Sequence, residues 1–308
     1  MRLWRGWRAK SSDAAFAGPG KWVAGCFEIS RNQALSLRIY KSLWVTFVLV
    51  VSAVVPCRLH AATPERTGAF LVNIESQNIH SKHSDSHVQY AFSSRERYYV
   101  YVPAAYTGSE TYGLIVFTDA KSGTVHLPMI WKTVLDTHKY IFIAAQNAGN
   151  DQPRARRLGL AVLGALKIMS RYQINPDRVY AAGFSGGARM SGLLGFYQSD
   201  IFRGTIQICG ADFYERVPIV AATSQLDTAG MPYGRFDATQ QEISNARAVR
   251  FVFITGTRDF RRGNILDVFH GGFEQTRFHA KLIDVPGMDH TICDSDVLSA
   301  ALDFLENK

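Results

Sequence analysis

From about residue 95 to the C-terminus, short apolar runs rich in β-formers alternate with longer segments whose apolar positions recur at helical spacing. The pattern predicts strands at Tyr112–Phe117, Tyr140–Ala145, Arg178–Ala182, Thr205–Cys209, Phe251–Ile254 and Lys281–Val285. Between them it predicts helices over Pro128–Thr137 and Pro153–Tyr172, one that follows Ser185 and runs through Gly195, one over Asn264–Thr276 and a closing helix over Ser295–Leu305. The second of these shows its period clearly, with Leu158, Leu160, Ala161, Leu163, Leu166 and Met169 on an apolar face. Two earlier strands are expected, Ala69–Ser76 and Val88–Val102, the latter turning near Ser93–Arg95. Strand–helix alternation of this kind predicts an α/β fold with a mostly parallel central sheet and helices on both faces.

The rhythm breaks between Asp212 and Ala248, where Phe213, Tyr214, Met231, Tyr233 and Phe236 stand among Gly, Pro and polar residues. An insertion here is expected near the functional end of the sheet, either as part of a pocket or as a surface excursion that buries its aromatics on the domain. Trp131 is a second candidate to border that cleft. No repeat and no second domain boundary interrupts residues 62–308, which read as one α/β domain.

Residues 1–61 read differently, as a leader. Leu43 to Val55 form an apolar block with Arg38 and Lys41 before it and Pro56 after it. The block is shorter than the roughly 20 apolar residues a spanning helix needs and fits the hydrophobic region of a signal peptide, with cleavage near Ala61 or Ala62. Export to the periplasm or the medium is expected, without stable membrane insertion, and an uncleaved anchor is the alternative. The stretch before the block is long for a signal peptide, so a translation start near Leu35 or Leu37 is a further expectation.

The leader also accounts for the charge. The 34 basic and 26 acidic residues give a net +8, yet nine of the basic and two of the acidic ones precede residue 62. What remains is 25 basic against 24 acidic, a net +1, so the charge balance gives no nucleic-acid footprint.

The chemistry is concentrated at Arg178-Val-Tyr-Ala-Ala-Gly183-Phe-Ser185-Gly-Gly187-Ala-Arg-Met. An apolar β-former run ends in Gly-x-Ser-x-Gly and passes at once into a helix-compatible segment, the context in which a serine is held on a strained turn with its hydroxyl exposed. Arg250 to Asp259 reads as a buried strand running into a turn that bears an acid. Ala280 to His290 reads as a last strand followed by a Pro-Gly turn that presents a histidine. Ser185, Asp259 and His290 are therefore the candidate nucleophile, orienting acid and general base. Asp267 and Asp289 compete with Asp259 for the acidic role.

Several ordered segments carry a resemblance: Arg97-Tyr-Tyr-Val-Tyr-Val-Pro, Gln146-Asn-Ala-Gly-Asn150, Ile174-Asn-Pro-Asp-Arg178, the serine elbow and Pro286-Gly-Met-Asp-His290. Together they resemble the α/β-hydrolase fold in its polyhydroxybutyrate-depolymerase and feruloyl-esterase-like branch. The serine–acid–histidine chain order is that of the α/β hydrolases. The resemblance implies a carboxylic-ester hydrolase that acts on a small or polymeric ester and needs no cofactor or metal. It also implies an oxyanion hole from the Gly186 N–H and a loop N–H at Thr118–Lys121, assigned to Ala120. Here the chain departs from the branch, whose usual His-Gly is replaced by Thr118-Asp119. The departure keeps open the alternative of a catalytically degenerate envelope or binding protein, and the Gly-Phe-Ser-Gly-Gly elbow, which resembles that of oligopeptidases too, keeps open a serine peptidase on the same fold.

Outside the leader the cysteines are Cys209, after a strand, and Cys293, three residues past His290. Both fall where this fold gathers its loops, and in an oxidising compartment a Cys209–Cys293 disulfide is possible. His80-Ser-Lys-His83-Ser-Asp-Ser-His87 reads as a solvated loop rather than a metal site. Arg154-Ala-Arg156-Arg157 reads as a solvated face or a set of ion pairs. No glycine-rich phosphate loop or dinucleotide fingerprint is present in the sequence.

Overall fold

The computed structural model describes residues 66–75, 95–219 and 234–307. The leader, the three histidines between 80 and 87, and Met231 and Tyr233 of the insertion lie outside the described residues.

Eight strands form one sheet: β1 (Gly68–Glu75), β2 (Arg95–Val102), β3 (Tyr112–Thr118), β4 (Tyr140–Ala145), β5 (Ile174–Phe184), β6 (Gly204–Ile208), β7 (Arg250–Gly256) and β8 (His279–Val285). Their spatial order is β1-β2-β4-β3-β5-β6-β7-β8. The β1–β2 and β2–β4 pairs are antiparallel, and every pair from β4 to β8 is parallel. Among the described residues six α-helices accompany the sheet: α1 (Lys132–His138), α2 (Arg154–Met169), α3 (Gly186–Tyr197), α4 (Gln240–Ala246), α5 (Arg262–Val268) and α6 (Ser295–Leu305).

The parallel strands read as continuous apolar runs because both of their faces are covered. Along β3, Leu114 and Val116 join the core under α2 and α3, while Ile115 and Phe117 join the one under α1 and α6. Strands β5 and β7 alternate the same way, Val179 and Phe251 to one side and Tyr180 and Val252 to the other. This period of two fixes which side chain meets which helix.

The parallel register also lines up the strand ends. Thr118 stands opposite Gly183, Phe184 opposite Ile208, Ile208 opposite Ile254 and Gly256 opposite Val285. The loops that leave these ends emerge along one edge of the sheet, the usual place for a ligand site in an open α/β sheet.

Three elements differ from the sequence expectation. Helix α4 falls in the interrupted segment, and its start is a capping box: Thr239 Oγ1 accepts from the Glu242 N–H at 3.2 Å while the Glu242 carboxylate accepts from the Thr239 N–H at 2.8 Å. The helix expected over Asn264–Thr276 is instead α5 followed by one wide π-helical turn, Phe269–Glu274, which buries both Phe269 and Phe273. Trp131 lies on a short 3-10 turn, fully buried, rather than at a cleft.

The described aromatics of the insertion are core. Phe213 and Phe236 are buried, and Phe236 and Tyr214 meet the Phe196 ring at centroid distances of 5.1 and 5.6 Å. Phe251 and Phe278 complete the cluster around Phe196 at 5.5 and 5.4 Å. Phe196→Ala is expected to cost about 3–5 kcal/mol in chemical denaturation, whereas a loss below about 1 kcal/mol would show that the cluster does not anchor α3.

Candidate active site

The site is built from the loops that leave β3, β4, β5, β6, β7 and β8. Strand β5 ends at Phe184 and α3 begins at Gly186, leaving Ser185 alone at the corner with φ 55° and ψ −116°. A residue with a side chain is held in that region only when its surroundings over-determine it. Here the surroundings are two close approaches. A Cβ on Gly183 would overlap the Gly187 carbonyl, and a Cβ on Gly187 would overlap the carbonyl of Thr118 at the end of β3. The Ser185 N–H is tied sideways to the Ile208 carbonyl of β6 at 2.7 Å.

The structure brings Ser185, His290 and Asp259 together. Ser185 Oγ and His290 Nε2 are 3.0 Å apart, and His290 Nδ1 and Asp259 Oδ1 are 2.7 Å apart. Asp259 is buried and His290 is partly exposed. Burial alone would push the Asp259 carboxyl up. Hydrogen bonds from His290, the Arg261 N–H, the Thr255 hydroxyl and the Cys209 thiol outweigh it and hold the group below the usual carboxylate range. The Arg261 N–H and Thr255 Oγ1 donate at 2.9 and 2.8 Å. His290 is also flanked by two rings, Phe184 at 5.1 Å and Phe260 at 4.2 Å between centroids. Of the competing acids, Asp289 pairs with Arg258 at the surface and Asp267 is buried on α5.

Gly186 opens α3, so its N–H is among the first amides of the helix, which have no carbonyl one turn earlier to bond. The loop after β3 packs directly on this corner, as the Thr118–Gly187 approach shows. In that loop the Ala120 carbonyl accepts from the Asn150 N–H at 2.8 Å. The Asp119 carboxylate closes its own turn by accepting from the Lys121 N–H at 3.0 Å. Arg157 braces the loop from behind, its Nη2 donating to the Asp119 carbonyl at 3.1 Å and its Nε to the Ala148 carbonyl at 2.8 Å. This guanidinium is buried, which, together with the nearby Arg189, lowers its pKa to about 10. Only its neighbour Arg156 meets the ion-pair expectation for the arginine run, through a two-point bond to Glu96 at 2.6 and 2.8 Å.

The disulfide considered for Cys209 and Cys293 is not formed; both are buried free thiols. The Cys209 sulfur instead faces the His290 loop, 3.5 Å from the Thr291 carbonyl. Its backbone is held at φ 57° with the N–H on the Ile254 carbonyl. Burial first, then the Asp259 carboxylate, pushes its thiol well up, and burial pushes Cys293 up to about 12. Cys209, Asp259 and His290 offer donor atoms within 4.8 Å of one another, and the Asp259 carboxylate among them already accepts from both of the others. Trp131 has a role the sequence did not indicate: its Nε1 donates to the Cys293 carbonyl at 2.9 Å, fixing the far end of the histidine loop.

A cleft opens beside Ser185. Asn150, Arg189, Phe260, Arg261 and Asn264 line it with Gly186, Cys209 and small or aliphatic neighbours. Arg189 Nε donates to Asp212 Oδ1 at 2.5 Å, and Asp212 is buried with its Oδ2 unbonded among the described residues. Sequence reasoning gave no role to these wall residues, although Arg189 stands four positions after the elbow serine, one helical turn along.

No family model and no curated protein sequence matches the chain. Among solved structures it is similar to a ferulic acid esterase, at 15% identity over 79% of this chain and 99% of that one, with a TM-score of 0.53. A poly(3-hydroxybutyrate) depolymerase from Bordetella parapertussis matches at 14% identity, over 79% and 90% of the two chains, with a TM-score of 0.52. Dipeptidyl peptidase 4 from Porphyromonas gingivalis matches at 12% identity and a TM-score of 0.54, but 79% of this chain covers 36% of that one. At these identities the likeness is one of fold.

The two glycines that follow Ser185 make different demands. The Gly187 position meets backbone, whereas the nearest atoms to a Cβ on Gly186 would be those of the Asn150 side chain. Gly187→Ala should therefore destabilise by about 1–3 kcal/mol, and Gly186→Ala by clearly less, as read from urea midpoints. Equal losses would show that the β3 loop yields as easily as a side chain.

Proposed function

On this α/β-hydrolase fold, with a strained elbow serine bonded to a histidine that a buried carboxylate holds, we propose that the chain is an exported serine carboxylic-ester hydrolase working through an acyl-enzyme. The observation that carries the reading is the pair of contacts at 3.0 and 2.7 Å that join Ser185, His290 and Asp259 across three separate loops.

In this reading Ser185 Oγ attacks the ester carbonyl while His290 Nε2 takes its proton. The same imidazolium protonates the departing alcohol, and a water activated by His290 then releases the acid. Asp259 keeps Nδ1–H toward itself, so that Nε2 is the basic nitrogen, and it stabilises the imidazolium. Its depressed pKa supports this role, because the carboxylate stays ionised through the neutral range. The Gly186 N–H and the Ala120 N–H receive the oxyanion. Asp119, with its carboxylate engaged by the Lys121 N–H, leaves that hole to backbone donors. The esterase and depolymerase neighbours support the ester class. The apolar block before residue 56 supports export, and among the described residues no helix is long and apolar enough to cross a membrane.

Ser185→Ala is expected to lower turnover of an aryl ester by about 10⁴–10⁶ with the fold intact, because triad members act as a unit. Retention of a tenth of the activity would refute the assignment. A matched peptide amide, assayed alongside, should be cleaved far more slowly than the ester; the reverse order would favour a peptidase.

A further inference from the structure

The two backbone donors of the proposed mechanism, the N–H groups of Gly186 and Ala120, come from different loops, and Asn150 touches both of those loops beside the cleft. It is exposed, lies on the loop after β4 and lines the cleft together with Ser185 and Gly186. Its side-chain amide fills the space a Gly186 side chain would take, since Oδ1, Cγ and Nδ2 are the three atoms nearest to a Cβ placed there. Its backbone N–H donates to the Ala120 carbonyl at 2.8 Å.

The loop after β4 is stapled along the loop after β3. Besides the Asn150–Ala120 bond, the Asn147 N–H donates to the Gly123 carbonyl at 3.3 Å and the Gly149 N–H to Ser122 Oγ at 3.1 Å. Ser122 Oγ in turn donates to the Asp151 carboxylate. Arg157 bridges the two loops from behind, with Nε on the Ala148 carbonyl and Nη2 on the Asp119 carbonyl. The approach is close enough that a Cβ on Gly149 would overlap the backbone of Lys121 and Ser122. Asn150 is thus fixed relative to Ala120 by the fold itself, and donors fixed in advance cost no reorganisation when charge develops.

The amide so placed is uncommitted. Neither Oδ1 nor Nδ2 of Asn150 has a hydrogen-bond partner among the described residues, whereas the polar side chains around it are engaged: Ser122 with Asp151, Asp119 with the Lys121 N–H and Arg157 with two carbonyls. The torsion that turns a terminal amide is broad and two-fold, so the NH₂ end can face the cleft while Cγ stays over Gly186. A substrate carbonyl oxygen accepts and does not donate, which selects that end of the amide. The attraction strengthens as Ser185 adds to the carbonyl and charge gathers on the oxygen, so it is spent on the transition state rather than on the bound ester.

We propose that Asn150 is a third oxyanion donor. Its side-chain NH₂, lying over Gly186, donates to the ester carbonyl oxygen as Ser185 Oγ bonds to the carbonyl carbon and the C=O π pair moves onto that oxygen. The amide keeps both of its protons and releases the oxygen when the carbonyl re-forms and the alcohol leaves with the proton from His290. The proposal rests on the serine ester hydrolase reading and adds a catalytic residue to it.

The test compares the purified chain with Asn150→Leu, which keeps the approximate volume of the side chain and removes its donors, and with Asn150→Ala, which only removes exposed atoms and carries the test if the leucine variant is unstable to urea. With 4-nitrophenyl butyrate, kcat should fall by about 10²-fold, the scale of a lost oxyanion donor, while KM stays within about threefold. Two ketones separate the tetrahedral state from the bound ester: an aryl trifluoromethyl ketone adds reversibly to the serine and carries the oxyanion, and the matched methyl ketone stays largely trigonal. The substitution should weaken the trifluoromethyl ketone by about tenfold or more and the methyl ketone by less than about threefold. A kcat loss below about tenfold would overturn the proposal. Equal weakening of the two ketones would also overturn it, since that marks a ground-state contact or a displaced loop. Absence of ester turnover by folded wild-type protein would instead remove the hydrolase reading, and the proposal with it.

Discussion

The close crossing of β5, α3 and the end of β3 is the constraint on which the site depends. Three backbones meet there with no room for a Cβ at Gly183 or Gly187. That contact holds Ser185 at a positive φ, which an L-residue does not adopt unaided. Strain of this kind is kept only where packing on all sides resists its release. The parallel register of β3, β5 and β6 supplies the resistance, and the Ser185 N–H bond to Ile208 locks the corner to the next strand. Because the strand ends are aligned by the same register, the acid and the histidine emerge within reach of the serine.

A second constraint is electrostatic. Asp259 is buried, and an ionised carboxylate there is costly unless its oxygens are bonded. Thr255 comes from the end of β7 and the Arg261 N–H from the turn after it, while Cys209 and His290 reach in from neighbouring loops. The carboxylate thereby ties three loops together, and its charge orients the imidazole. Trp131, through its bond to the Cys293 carbonyl, steadies the loop from the other face of the sheet. The histidine is thus positioned by residues from several elements rather than by the Pro-Gly turn alone.

Much of this was legible in the sequence, for physical reasons. Strands covered on both faces leave unbroken apolar runs, so the parallel strands were found to within a few residues at their ends. The Gly-x-Ser-x-Gly elbow was legible because close backbone crossings leave glycine as their signature. What was missed depends on contacts between distant segments. Helix α4 is short, and its Thr239–Glu242 capping box was the local signal for it. Trp131 gave no hint of whether its indole N–H would meet solvent or the Cys293 carbonyl 162 residues away. Arg157 looked like one more exposed arginine, and only the packing of the β3 loop on α2 buries it. The two cysteines lie at the same end of the sheet, yet the left-handed backbone at Cys209 directs its sulfur toward the Thr291 carbonyl instead.

The central claim is that Ser185 is an activated nucleophile, and fluorophosphonate labelling of the folded chain tests it most directly. The account predicts one phosphonylated residue, located at Ser185 by peptide mapping, and no labelling once the protein is unfolded. Folded protein that leaves Ser185 unlabelled would contradict it, and would mean that the 3.0 Å contact with His290 holds the shape of a catalytic site without its chemistry.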